Sequence, residues 1–225
     1  MISIKTRKVP FLCTDVIFKS LFIENPNILG KMISDIADID YIILKDNIIL
    51  ETNEIPIKRK DERFKKCDFI VRLDPDKVIN IEINTSKYKT LKIKNLSYSF
   101  ELFATNTSKG EDYNENFKLI QINLNCYRES TKDVLVEYGL ISNDNNHINY
   151  IDNYKILMLN IYKAHEIYYN ETNRESIPNY IKWGEFLYNE EIDKIPKILD
   201  GVLESWECEI VMKKIGNLMT AEESY

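Results

Sequence analysis

The sequence predicts an α/β protein with a helical C-terminal portion, and three observations carry that expectation. Helix-like and strand-like periodicities alternate through the first half of the chain. Within that half, two apolar runs, Cys67 to Leu73 and Val78 to Asn84, flank the turn sequence Asp74-Pro75-Asp76-Lys77. From residue 177 to 219 the spacing becomes helical, with Pro178 and Pro196 near helix starts, where proline is tolerated.

Taken in order, Thr14-Asp15 offers an N-cap to a helix over Val16 to Phe22. Asn25-Pro26-Asn27 breaks it, and Ile28 to Ile36 predicts a second helix. Tyr41 to Leu50 is rich in β-branched residues and predicts a strand. The basic stretch Lys58 to Lys66 reads as a charged connection or strand edge ahead of the hairpin. Lys89 to Thr105 predicts a helix with a broad apolar face, ended by Lys109-Gly110-Glu111-Asp112. Phe117 to Asn125 alternates as a buried strand. Val134 to Ser142 and His147 to Ile151 predict further strands around Asn143-Asp144-Asn145-Asn146. Tyr154 to Ile161 suits helix or strand, with strand preferred.

The 225 residues suffice for a substantial core, as one domain or a domain with an appendage. Cys13, Cys67, Cys126 and Cys208 are scattered, with neither zinc spacing nor a disulfide framework. The first residues lack a secretory apolar stretch, and no run is long enough to span a bilayer, so a cytoplasmic protein without a membrane partner is expected. Ser-His-Asp order, a P-loop and a dinucleotide motif are absent, and His147 and His165 have no partner at motif spacing.

The hairpin carries the most chemistry. Side chains alternate faces along a strand, so Phe69, Val71 and Leu73 join Ile79, Ile81 and Ile83 on one apolar face. Asp68, Glu82 and Asn84 then share the other. This holds only if the connection has an odd number of residues or a bulge. A three- or five-residue loop is therefore expected, because a one-residue slip would expose every isoleucine of the second strand. Two carboxylates on one wall suit a hard divalent cation such as Mg²⁺ or Mn²⁺, and the Ile83 carbonyl can add a ligand. The bland alternative is a pair of acids on a solvated strand face.

Charge distribution bears on the partner. The net charge of −6 argues against indiscriminate coating of nucleic acid, yet residues 1–100 hold 18 Lys and Arg against 14 Asp and Glu. Residues 101–225 hold 12 against 22. Lys58, Arg59, Lys60, Arg63, Lys65 and Lys66, then Lys87 and Lys94, flank the acidic hairpin as a phosphodiester-binding rim would. A merely solvated surface is the alternative.

Asp68 followed by Glu82-x-Asn84 resembles the PD-(D/E)XK nuclease signature in its D…(D/E)-x-Q form. The chain is similar to the transposase-like, recombination-promoting nucleases of that family in bacteria. Thr14-Asp15-Val16-Ile17-Phe18-Lys19-Ser20-Leu21-Phe22 resembles the family's opening block, and the hairpin its central one. Tyr98 with Lys109-Gly110-Glu111-Asp112-Tyr113, and Trp183 to Leu187, resemble two later segments in the right order. The resemblance implies a restriction-endonuclease-like mixed sheet flanked by helices, at residues 1–165, with a helical extension at 166–225. It also implies Mg²⁺-dependent cleavage of DNA, with Asp68 and Glu82 on the metal and Asn84 at the position of Lys or Gln. A homodimer would suit cutting both strands. Asn84 is the departure, because a neutral amide orients water but cannot neutralise developing charge as lysine does. Lys94 or Lys87 is a candidate substitute. Asp15 reads as a helix cap or a third acidic ligand, and Tyr98 as a core-edge aromatic. The rival reading is a DNA- or protein-binding module on the same fold, with the site decayed.

Overall fold

A 3-10 turn over Phe11–Cys13 leads into helix α1 (Asp15–Ile23). Thr14 occupies the N-cap position, but its hydroxyl donates back to the Phe11 carbonyl at 2.9 Å rather than capping the helix. Helix α2 (Pro26–Ala37) begins on Pro26, whose missing N–H costs nothing in a first turn. It stops at Asp38, which takes a left-handed conformation (φ 53°) that short polar residues tolerate. The computed structural model describes residues 10–51, 54–55, 65–109, 112–129, 131–142 and 147–223.

The strand expected over Tyr41 to Leu50 is divided. Asp40 accepts the Ile42 N–H at 2.9 Å and caps a short helix α3 (Tyr41–Lys45), so only β1 (Ile49–Glu51) is extended. A local cap overrides β propensity there. The chain continues through β2 (Glu54–Ile55), β3 (Lys65–Lys66), β4 (Phe69–Asp74), β5 (Lys77–Asn84) and helix α4 (Leu91–Thr107). A short pair, β6 (Ser108–Lys109) and β7 (Asp112–Tyr113), precedes β8 (Lys118–Asn125), β9 (Leu135–Gly139) and β10 (Tyr154–Asn160). The predicted strand over His147 to Ile151 is not formed; its one ladder contact is an isolated bridge from Ile141 to Asn149. Asn143 to Asn146, like Gly110 and Glu111, lie outside the described residues.

Six strands form a mixed sheet in the order β1-β4-β5-β8-β10-β9. The β5–β8 and β8–β10 pairs are parallel and the others antiparallel, so the β5-α4-β8 connection lays α4 across one face. The other face is covered by α1, α2 and four C-terminal helices, α5 (Ile161–Asn170), α6 (Asn179–Tyr188), α7 (Ile195–Ile198) and α8 (Ser205–Glu223). Helix α5 follows directly on β10, and starts ahead of the helical extension expected from residue 166. It is fixed by close approach to α6, where a Cβ on Gly184 would fall 2.3 Å from that of Ala164.

The central hairpin resolves the register. Phe69 pairs with Ile81 and Val71 with Ile79, so the apolar triads share a face as expected. The predicted three- or five-residue loop is replaced by a two-residue turn, Pro75-Asp76, with an irregularity at Leu73 between the Arg72 and Asp74 pairings. One extra residue in a strand restores parity as an odd loop would. Burial decided the register, as the alternation required. Among the described residues, no helix is long and apolar enough to cross a membrane.

Candidate active site

Strands β5 and β8 run side by side in register, Asn80 beside Gln121, Glu82 beside Asn123 and Asn84 beside Asn125. All six side chains face α4 and are at most 3% exposed. Nearer the start of the two strands the same face is apolar, with Val78 and Leu119 packed against Leu102 and Phe103. The polar half of this face is the site.

Its acidic centre joins two strands. Asp68 immediately precedes β4 and accepts the Ile83 N–H on Oδ2 at 2.6 Å, so the carboxylate is pinned to the neighbouring strand. Its Oδ1 lies 3.4 Å from Lys19 Nζ, and that ammonium is 2.5 Å from Asp15 on the first turn of α1. Glu82 is fully buried. Its Oε1 accepts a long bond of 3.5 Å from Asn80, and its Oε2 stands 3.1 Å from Lys94 of α4 without a well-directed hydrogen bond.

The electrostatics follow from burial. Glu82 is pushed up to about 7, first by burial and then by the charge of Asp68. Asp68 is raised by burial, against the pull of the Ile83 N–H and Lys19. Desolvation pulls Lys94 down, but the charge and hydrogen bonding of Glu82, with Tyr88 and Tyr98, together leave it raised. The Cys67 thiol beside Glu82 is held protonated by burial and by that carboxylate. The pair therefore resists double ionisation even with Lys19 and Lys94 in place, and further positive charge would favour it.

A hard cation meets that requirement. Two carboxylates suffice for Mg²⁺, which keeps several waters and takes its remaining ligands from phosphate. The poorly satisfied Glu82 Oε2 and the raised Asp68–Glu82 pair fit such an ion. Among the described residues there is no cluster of three or more His, Cys, Asp or Glu.

Asn84 sits beside this centre inside an amide network. Its Oδ1 accepts from Asn95 of α4 at 3.3 Å, and its Nδ2 donates to Asn125 at 3.0 Å. Asn95 also donates to Asn123 at 2.9 Å, as does Gln121 at 3.0 Å, and Asn80 donates to Gln121 at 2.7 Å. Asn125 closes the run on Glu129, which pairs with Lys87 at 3.3 Å. Buried amides must find partners, and here they find one another.

Sequence reasoning named Asp68, Glu82, Ile83 and Asn84, which the fold brings together. It missed Asn80, Asn95, Gln121, Asn123 and Asn125. The available signal was a polar amide at alternate positions in two strands whose other residues are isoleucine and leucine. Of the basic residues, Lys94 reaches Glu82, and Lys87 lies one step away through Glu129. Lys65 and Lys66 form β3, paired with β2. Lys58, Arg59, Lys60 and Arg63 lie outside the described residues. Tyr98 packs at the edge of the second apolar cluster with Lys94 5.2 Å over its ring. His165, without a partner in sequence, is 2.6 Å from the buried Glu185 and stacks on Tyr188, away from these carboxylates.

Residues 12–222 match the family described as PD-(D/E)XK nuclease family transposase, and nucleases of this class generally use divalent metals. No curated protein and no solved structure matches the chain significantly.

Proposed function

We propose that this chain, which belongs to the PD-(D/E)XK nuclease family transposases, is a Mg²⁺-dependent DNA endonuclease. The observation supporting this most strongly is the pairing of a half-buried Asp68 with a fully buried Glu82, whose carboxyl groups resist ionising together. Asp68, Glu82 and the Ile83 carbonyl would hold the ion. A bound divalent cation supplies Lewis acidity and neutralises charge on the scissile phosphate.

The chain's own residues do the rest. The Ile83 N–H and Lys19 orient the Asp68 carboxylate, and Asn80 orients that of Glu82. Asn84, fixed by Asn95 and Asn125, retains a second amide hydrogen with which to position a water. Lys94 supplies the positive charge that an amide lacks, from the helix rather than the strand. Lys87 and the basic residues Lys58, Arg59, Lys60, Arg63, Lys65 and Lys66 hold the phosphate backbone. In this reading residues 1–165 form the catalytic core and 166–225 a helical extension packed on it. It acts in the cytoplasm, and a homodimer would pair two sites for double-strand cleavage.

Plasmid nicking in Mg²⁺ or Mn²⁺ tests the proposal. Wild-type protein should relax supercoiled DNA, and Asp68→Ala and Glu82→Ala should each reduce nicking to background. Equal nicking by all three would reject the assignment. One observation favours a binding module instead: an ammonium already stands beside each carboxylate, Lys19 3.4 Å from Asp68 and Lys94 3.1 Å from Glu82. Calorimetry separates the two readings, since a decayed site would give no heat with millimolar Mg²⁺ or Mn²⁺.

A further inference from the structure

A cavity of about 220 Å³ opens between α4 and the β8–β10–β9 side of the sheet, next to the carboxylates. Its floor is amide: Asn84, Asn95, Asn123 and Asn125. Its walls are apolar, from Leu96, Ile156 and Met158. At the mouth stand two largely exposed aromatic rings, Phe100 and Tyr138, and the exposed Lys92. The amide network leaves one hydrogen-bonding group open on this floor. Asn123 is 3% exposed, and its Oδ1 accepts from both Gln121 and Asn95. Its Nδ2 has no hydrogen-bond partner among the described residues. The Asn95 Oδ1 also lacks a partner, but it is sealed from the cavity.

We propose that this cavity is a nucleobase pocket, which takes one base unstacked from the DNA strand at the Asp68–Glu82 site. The walls and rings suit a flat heteroaromatic ring, since base–aromatic stacking needs only a π-face. The Asn123 amide hydrogens can donate to a ring nitrogen of the base. A purine such as adenine, with the larger π-face, is therefore the base expected to bind best. Lys92 at the mouth suits the attached phosphate. The volume lies below the roughly 300–1,000 Å³ of pockets for drug-sized ligands, in keeping with a single base. Asn84 belongs to both cavity and carboxylate site. It follows Glu82 by two residues on the same face, a rise of about 7 Å, so a base here would lie close to the cleaved phosphate. The identity of the strand rests on the nuclease reading; the pocket's preference for a base does not.

Saturation-transfer NMR with dAMP and the full chain in EDTA tests the pocket without requiring cleavage. Saturation should concentrate on adenine H2 and H8 and exceed that with dCMP. Phe100→Ala and Tyr138→Ala, both at exposed positions, should each weaken binding about tenfold. Met158→Trp, which fills the cavity, should abolish it. No saturation at millimolar dAMP would overturn the proposal, as would equal saturation in wild type and the two exposed-ring variants. Plasmid nicking without dAMP binding would discard the pocket and keep the nuclease. Binding of dAMP without nicking would discard the nuclease and keep a pocket for adenine nucleotides.

Discussion

The two faces of the β5–β8 pair are equally buried and chemically opposite. One carries Ile79, Ile81, Ile83, Ile120, Ile122 and Leu124 against the C-terminal helices. The other carries Asn80, Glu82, Asn84, Gln121, Asn123 and Asn125 beneath α4. Burying an isoleucine or leucine stabilises by about 1.5–3 kcal/mol, whereas a buried hydrogen bond nets about 1 kcal/mol and an unmade one costs more. The apolar face therefore accounts for the fold. The polar face is tolerated by it, and such a departure from an otherwise consistent sequence marks a functional site.

Substitutions on the two faces should differ in size and in sign. The largest loss belongs to the apolar face, where Ile81→Ala or Ile122→Ala should cost about 2–5 kcal/mol in thermal or urea unfolding. Nicking per folded molecule should survive. Glu82→Gln should do the reverse, removing nicking while raising stability at alkaline pH. The folded-state pKa of Glu82, about 7, lies above its ordinary 4.5. The folded protein therefore holds that proton more tightly, and the carboxyl's contribution is fully present below pH 4.5 and is lost as pH rises through 7. The variant lacks that loss, so its gain over wild type should grow across this window to on the order of 3 kcal/mol. Parallel pH–stability curves would refute the assigned burial. Glu185, raised to about 8 by burial, adds a similar slope to both proteins and cancels from the difference.

Smaller effects sharpen the contrast. Asn123→Ala strips the acceptor from Gln121 and Asn95 and should cost about 1–3 kcal/mol, less than the isoleucine substitutions. Smallest is Asp15→Asn, at a side chain that is 55% exposed and paired with Lys19 along α1. Its stability change should stay within about 0.5 kcal/mol. If nicking also stays intact, Asp15 is a helix-terminus residue; a large loss of nicking would make it a third acidic group of the site.

The difference between the faces also explains what the sequence could disclose. Alternation of isoleucine with polar residues announced both central strands and the shared face of Asp68, Glu82 and Asn84, since only one register buries the isoleucines. Nothing local distinguished a polar face turned to solvent from one roofed by α4, because that depends on where a helix of modest amphipathicity comes to rest. Asn95 joined the site for the same tertiary reason, whereas Lys94 was already a candidate from its place beside the hairpin. The helical turn at Tyr41 was hidden by β-branched residues whose local preference was overruled by the Asp40 cap. The bulge at Leu73 did what a longer loop was expected to do.

Divalent-cation binding by Asp68 and Glu82 is best tested by titrating Mn²⁺ into wild type, Asp68→Asn and Glu82→Gln, reading free Mn²⁺ by electron paramagnetic resonance. Wild type should take up Mn²⁺ with an affinity that rises with pH towards 7, competed by Mg²⁺, and both variants should lose it. Undiminished uptake in either variant, or none in wild type, would contradict a shared cation on these two carboxylates.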